Sequence, residues 1–466
     1  MMTSRLHRRE FLKSAVLGLG AAALSGCARD TTSPLDVLFL LTDDQRADTL
    51  GCMGNPFIQT PNLDSLAKRG ALFRNNFVTT SICPTSRASI FTGQYGSQHG
   101  IWEFGSALSD AQFDKTYPAI IRKAGYRTGF VGKWGLGGQL PKGRFDYFTG
   151  FEGQGKYYEK EGGRHLTARL GDESLAFFDQ LAPDQRFCLS VSFKAPHNDA
   201  EPPWWIPLPE MVPLYSDYKP KRPATAGDEY FQKLPDALKE PNFFGRDCWQ
   251  WAFRDDEQFV KTIQGYYGLI SGVDLQFKRI SDKLRELGRD ESTLIVFTSD
   301  NGLFLGEHGL CGKWLMHEES IRTPLIIYDP TAREGGLIVN QMTLNIDVTP
   351  TLLAAAGLPI PKTVSGRNLL PIVRGTDTAS LRAHWFYEHL LESDRIPKVE
   401  GVRTDDWKYI VYTSTSPRQE ELYYLKKDPR EANNLVGDPT AAKRLAELRA
   451  LHEEYATSLR SPKRAQ

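Results

Sequence analysis

Cys83 stands four residues before Arg87 in the segment Ser-Ile-Cys-Pro-Thr-Ser-Arg-Ala-Ser-Ile-Phe-Thr-Gly, residues 81–93. Ser86, Ala88, Ser89 and Ile90 can continue a helix from that point. A thiol at a helix N-terminus feels partial positive charge, and a cation one turn away adds to it. The combination suits a nucleophile, although a cysteine taken alone is more often a small buried hydrophobe. Two further clusters carry hard oxygen atoms, Asp43-Asp44 and Asp300-Asn301. Three carboxylates and a carboxamide at one point would repel one another without a cation, and an oxygen-only donor set favours calcium or magnesium over zinc. Either pair by itself reads as a helix N-cap. Together, and beside the cysteine segment, they point to a metal. Lys133 in Gly-Lys-Trp, His197 in Ala-Pro-His and Lys313 complete the ionisable set. A single lysine is usually a solvated surface residue, so these three gain meaning only if the fold brings them to the same place.

The elements that would do so share one design. Apolar runs at 36–41, 128–131, 187–193 and 293–298 each lead directly into one of these groups. Continuous apolar runs bounded by turn residues suit strands buried on both faces, as in a parallel sheet covered by helices. Helix-like stretches at 62–69, 117–124 and 273–287 lie between them. The alternation predicts an α/β fold with a large, mostly parallel sheet, whose ligands sit beyond the carboxyl ends of the strands. Residues 201–267 are rich in proline and aromatics, including Trp204, Trp205, Tyr215, Tyr218, Tyr230, Phe243, Phe244, Trp249 and Trp251. This insertion follows the strand bearing His197. Most of its rings are expected to pack the insertion itself, with one or two available to a sugar face. Beyond Pro359-Ile360-Pro361 the character changes to a strand pair near 403–412 and a charged helical tail at 440–458.

The chain of 466 residues is long enough for one large domain and a smaller one. Lys plus Arg and Asp plus Glu both total 57, so net charge gives no reason to expect a nucleic-acid partner. Residues 1–27 read as an export signal. Arg8-Arg9-Glu10-Phe11-Leu12-Lys13 resembles a twin-arginine motif, and a short apolar run ends in Leu24-Ser25-Gly26-Cys27, a lipobox-like sequence with Cys27 as the lipidated residue. The expected location is therefore an exported protein held to a bacterial membrane by lipid alone, facing the periplasm or cell surface. Four cysteines remain, Cys52, Cys188, Cys248 and Cys311; their spacing fits no zinc site, and they allow three disulfide pairings among which sequence does not choose.

The segment around Cys83 resembles the maturation signature of the formylglycine-dependent sulfatases of the alkaline phosphatase superfamily. Cys83, Arg87, Thr92 and Gly93 match it, Phe91 replaces a leucine, and Thr85 stands where proline is usual, the proline having moved to Pro84. Further landmarks occur in family order: Asp43-Asp44, Thr60-Pro61-Asn62-Leu63-Asp64, Gly132-Lys133-Trp134, Ala195-Pro196-His197, Asp300-Asn301-Gly302, Gly306-Glu307-His308-Gly309 with Lys313, then Glu421-Leu422-Tyr423 and Asp428-Pro429 to Asn434-Leu435. The resemblance implies an α/β catalytic domain over 34–370 and a C-terminal α+β subdomain over 371–460, with a small antiparallel sheet and a terminal helix.

It also implies a chemistry. A dedicated maturation enzyme would oxidise Cys83 to formylglycine, whose hydrate attacks sulfur through one hydroxyl and releases sulfate through the other. One calcium ion would sit on Asp43, Asp44, Asp300 and Asn301, in contact with residue 83. Arg87 would hold the modified residue, Lys133 and Lys313 would bind sulfate oxygens, and Lys313 and His197 would serve the leaving oxygen. The substrate would be a sulfated saccharide; a phosphonate or phosphodiester hydrolase of the same superfamily and a silent sulfate-binding lipoprotein are the alternatives. Many family members carry histidine where this chain has Gly135. His308, His317 and His99 are possible stand-ins, and His308, sharing a loop with Lys313, is the expected one, with a further part in substrate binding.

Overall fold

The computed structural model describes residues 33–160, 162–377 and 379–461. The export signal and Cys27 lie outside them. Residues from Pro34 onward form one compact unit.

The four runs read as strands are β1 (Asp36–Asp43), β3 (Arg127–Lys133), β5 (Phe187–Pro196) and β6 (Thr293–Ser299), joined by β2 (Ala71–Phe77) and β4 (Tyr147–Phe151). A two-stranded hairpin follows, β7 (Phe304–Leu305) with β8 (Cys311–Gly312). The main sheet is completed by β9 (Arg322–Tyr328), β10 (Leu337–Val339) and β11 (Thr343–Leu344). Its order is β10-β2-β9-β6-β1-β5-β3-β4, with β11 extending the pairing along β2. Among the described pairs only β9 runs antiparallel to its neighbours β2 and β6; the rest of the sheet is parallel. The central strands β1, β5 and β6 are buried along their whole length. That explains why they read as unbroken apolar runs rather than as alternating ones.

Register decides what meets at the carboxyl edge. Thr42 lies opposite Ser299 and Asp43 opposite Pro196. The residues next in chain, Asp44, Asp300-Asn301 and His197, are thereby delivered to one place. Lys133 ends β3 on the far side of β5, opposite Phe151 of β4. Helices Pro61–Arg69, Tyr117–Lys123 and Asp256–Glu286 cover the faces. The last of these extends well before the expected start at 273.

The C-terminal part is a four-stranded antiparallel sheet, β12 (His384–His389), β13 (Val399–Thr404), β14 (Trp407–Tyr412) and β15 (Gln419–Tyr424), with the helix Ala442–Arg460. Its apolar face does not close on itself. Trp385, Tyr387 and Tyr409 share a core with Phe77, Phe304, Met316 and Ile321 of the main part. Leu370–Val373 still packs with the helices of the main core, so the subdomain's own structure starts at β12.

Candidate active site

Six residues after β2 the chain enters the helix Cys83–Thr92, whose residues are all buried. Cys83 is its first residue, preceded by the extended Ile82. Pro84 fits the opening turn, where a missing N–H leaves no helical bond unmade. Lys313 Nζ lies 3.1 Å and Asp43 Oδ1 3.4 Å from the Cys83 sulfur. Burial and the Asp43 charge push this thiol up to about 12, against the pull of Lys133 and Lys313. The activated thiolate suggested by a helix N-terminus and a nearby cation is therefore not what the fold builds. Desolvation outweighs both attractions.

The expected metal donors converge. Ligand oxygens of Asp43, Asp44 and Asp300 lie within 4.8 Å of one another, and Asp43, Cys83 and His197 form an overlapping group of the same size. All four expected oxygen donors are buried. Asn301 Oδ1 is buried without a hydrogen-bond partner, while its Nδ2 donates to Asp44 and to the Gly302 carbonyl. A buried orphan acceptor beside three carboxylates is what a hard dication would satisfy, so these residues fit calcium. Asp44 takes a left-handed φ of 66°. Its N–H donates to Asp300 Oδ1 at 3.2 Å, and its carbonyl accepts from Tyr266 Oη at 2.6 Å. Burial resists ionisation of Asp43, yet Lys133, Arg87 and Lys313 hold its carboxyl well below the usual range. Asp300 goes the other way, raised to about 6 by burial and by the Asp43 charge.

Cations close the site on the other sides. Arg87 donates through Nε to Asp300 at 2.9 Å and through Nη1 to the Lys133 carbonyl at 3.0 Å and to Ser192 Oγ; its Nη2 lies 3.3 Å from Asp43. Lys133 Nζ pairs with Asp43 and donates to Gln154 Oε1. Lys313 Nζ pairs with Asp44; burial opposes its charge, but Asp44 and Cys83 keep its pKa well above the ordinary lysine value. His197 Nε2 is 3.6 Å from Asp44, and Nδ1 lies 2.8 Å from the Asn198 carbonyl. A carbonyl only accepts, so Nδ1 carries the hydrogen. Burial holds the ring neutral, with Nε2 as the proton acceptor. With 16% of its side chain exposed, His197 is the most open of these residues, against 6% for Lys313 and 1% for Lys133 and Arg87. Substrate must approach from its side.

The three candidate stand-in histidines are not brought here. His308 has φ 55°, and its ring lies 5.3 Å from His317 and 6.4 Å from Phe304, beneath the C-terminal sheet. Burial drives it down to about 3. His317 faces Glu421 of β15 at 3.6 Å. His99 uses both ring nitrogens locally, on Ser89 Oγ and on the Ile101 N–H. The space opposite Gly135 is filled otherwise: a Cβ built there would stand 2.8 Å from Arg87 Nε and closer still to its Cδ. Arg87 occupies the room that a side chain at 135 would need.

The aromatic insertion reaches the site through Lys313. Cys248, in the helix Phe244–Ala252, forms a disulfide with Cys311 of β8, leaving Cys52 and Cys188 free. Phe244 packs edge-on to Trp314 at 5.2 Å. Trp205, Tyr215 and Phe243 are buried, whereas Trp204 is half-buried and packs on Trp251 with ring centroids 4.6 Å apart. Sequence reading missed Tyr266, Ser192 and Gln154. No local motif marks them, because each meets its partner across a long stretch of chain.

The chain is similar to proteins of known family and fold. A family model described as Sulfatase matches residues 36–358, and one described as N-sulphoglucosamine sulphohydrolase, C-terminal, matches 306–457. An N-acetylglucosamine-6-O-sulfatase of Bacteroides thetaiotaomicron is 28% identical, over 94% of this chain and 90% of the relative. A solved structure described as a complex with its substrate D-glucosamine-2-N,6-O-disulfate superposes with a TM-score of 0.82 at 26% identity, covering 93% of this chain and 99% of that one. A phosphonate monoester hydrolase of Agrobacterium radiobacter superposes with a TM-score of 0.74 at 25% identity, covering 90% and 96%.

Proposed function

Because the chain belongs to the sulfatase family of sulfuric ester hydrolases, we propose that it removes sulfate from a 6-O-sulfated amino sugar, using formylglycine made from Cys83 and one calcium ion. The observation that carries this reading is the convergence of three carboxylates, an orphan carboxamide oxygen, two lysines, Arg87 and His197 around the Cys83 sulfur. The amino-sugar part rests on the names of the similar proteins.

When present, the two groups would supply an oxygen nucleophile at position 83 and positive charge beside it. The chain's own residues do the rest. Asp43, Asp44, Asp300 and Asn301 hold the metal. Arg87 fixes Asp43 and Asp300 from behind and clamps the Lys133 carbonyl. Lys133 and Lys313 offer ammonium hydrogens to the sulfate oxygens, and Lys313 holds a proton for the leaving alcohol oxygen. His197 takes a proton at Nε2 and can return it there. Burial of nearly the whole set strengthens each of these interactions, since little water competes.

The same reading makes a formylglycine-generating enzyme the maturation partner. It also includes twin-arginine-like export and a lipid anchor at Cys27. A peptide mass spectrum across residue 83 of the natively produced protein, with turnover of N-acetylglucosamine-6-sulfate, tests the proposal. An unmodified thiol with no sulfate release would overturn it. The phosphonate monoester hydrolase likeness favours a second reading, hydrolysis of phosphonate or phosphate diesters. Rates on sulfate and phosphodiester esters of one chromophore separate the two.

A further inference from the structure

One loop outside the expected set touches both sides of the site. It follows the edge strand β4, whose last residue Phe151 lies opposite Lys133. Gly153 and Gly155 take φ of 65° and 67°, turning the chain twice in three residues. A Cβ at Gly155 would come 2.7 Å from the Phe151 ring, so the loop folds back tightly over its own strand. Gln154, between the two glycines, is thereby aimed at Lys133, whose Nζ donates to its Oε1. Three residues later, Tyr157 Oη donates to the His197 carbonyl at 2.6 Å. The one loop thus reaches Lys133 through Gln154 and the His197 backbone through Tyr157. Gln154 is half-buried like His197, on the open side of an otherwise closed site. Its Nε2 has no hydrogen-bond partner among the described residues.

We infer, resting on the sulfatase reading, that Gln154 is a substrate-binding residue: Oε1 holds the Lys133 ammonium, and Nε2 donates to an oxygen of the sulfate ester. A carboxamide suits both tasks because it offers an acceptor and a donor without charge. An acidic residue would hold Lys133 equally well but would cancel the positive charge the sulfate needs and repel the anion directly. A purely structural glutamine has no such requirement.

Gln154→Glu and Gln154→Met, made in the mature, calcium-loaded protein, discriminate. Both keep the side chain's length. Binding of inorganic sulfate, read by calorimetry and by competitive inhibition, is expected to weaken about tenfold or more in Gln154→Glu, where charge is added. In Gln154→Met, where two hydrogen bonds to charged partners are lost, a weakening of about tenfold or more is likewise expected. The ratio kcat/KM falls with it, mainly through KM, and the thermal midpoint stays near that of the wild type. Unchanged sulfate affinity in both variants would overturn the inference. So would a loss of activity that tracks a loss of thermal stability while sulfate affinity is retained. A wild-type protein that binds sulfate but releases none from esters would instead overturn the proposed function.

Discussion

Gly135→Ala tests how the site is held together. Gly135 has φ +74°, and its missing side chain is the space into which the Arg87 stem packs. An alanine in left-handed backbone is strained by about 1 kcal/mol. The larger effect is steric. At 2.8 Å from Arg87 Nε, the new methyl sits roughly 1 Å inside ordinary contact distance. Arg87 cannot retreat to solvent, since its side chain is 1% exposed and its nitrogens hold Asp300, Asp43, Ser192 and the Lys133 carbonyl. Pulling one partner out of a buried ion pair typically destabilises by about 3–5 kcal/mol. The expected loss of unfolding free energy is therefore about 4 kcal/mol, read by chemical denaturation with calcium present. A displacement of this size in a group that fixes two metal donors should lower kcat/KM about a hundredfold. Gly135→His, which introduces the histidine that the family resemblance leads one to expect here, should be at least as damaging. Wild-type stability and turnover in Gly135→Ala, or improved turnover in Gly135→His, would refute the packing argument.

Three more outcomes are expected. Asn301→Leu removes the orphan acceptor at nearly constant volume and should weaken calcium binding in calorimetry by about tenfold or more. Replacing both Cys248 and Cys311 by serine opens a 63-residue loop, which should lower stability by roughly 4 kcal/mol in denaturant titration; turnover should fall as well, because β8 leads into Lys313. Burial and the charges of Glu307 and Glu431 raise Glu319 from 4.5 to about 8. A raised acid stabilises fully below its unfolded pKa and loses that contribution as pH climbs through its folded one. Glu319→Gln should accordingly be more stable than wild type at pH 9, with the difference vanishing near pH 5, as thermal midpoints would show.

The sheet and its carboxyl edge were legible because burial on both faces leaves a strand no polar alternation, so β1, β5 and β6 stood out as apolar runs ending in ionisable residues. The two-residue strands β7, β8 and β11 carry no such pattern and were not foreseen. Pairing of Cys248 with Cys311 depends on how the insertion folds over the hairpin, which no local spacing encodes. His308 shows the hazard of arguing from proximity in sequence. It is five residues from Lys313, but its left-handed φ at the turn of the β7–β8 hairpin leaves its ring against His317. Gly135 was legible only as a departure from a pattern; the structure gives it a positive reason, the volume of Arg87.

The charges explain why so closed a site still suits an anion. Asp43, Asp44 and Asp300 are balanced by Arg87, Lys133 and Lys313, so the protein groups alone offer little net attraction for sulfate. Lys133 pairs with Asp43 and Lys313 with Asp44. A dication held by Asp43, Asp44, Asp300 and Asn301 would neutralise those carboxylates and leave the charge of Lys133 and Lys313 to favour the anion. Metal and anion affinity are then linked through charge, each raising the other by the same factor. Gln154 belongs to this balance. As a neutral acceptor it steadies Lys133 without cancelling the charge that the sulfate requires.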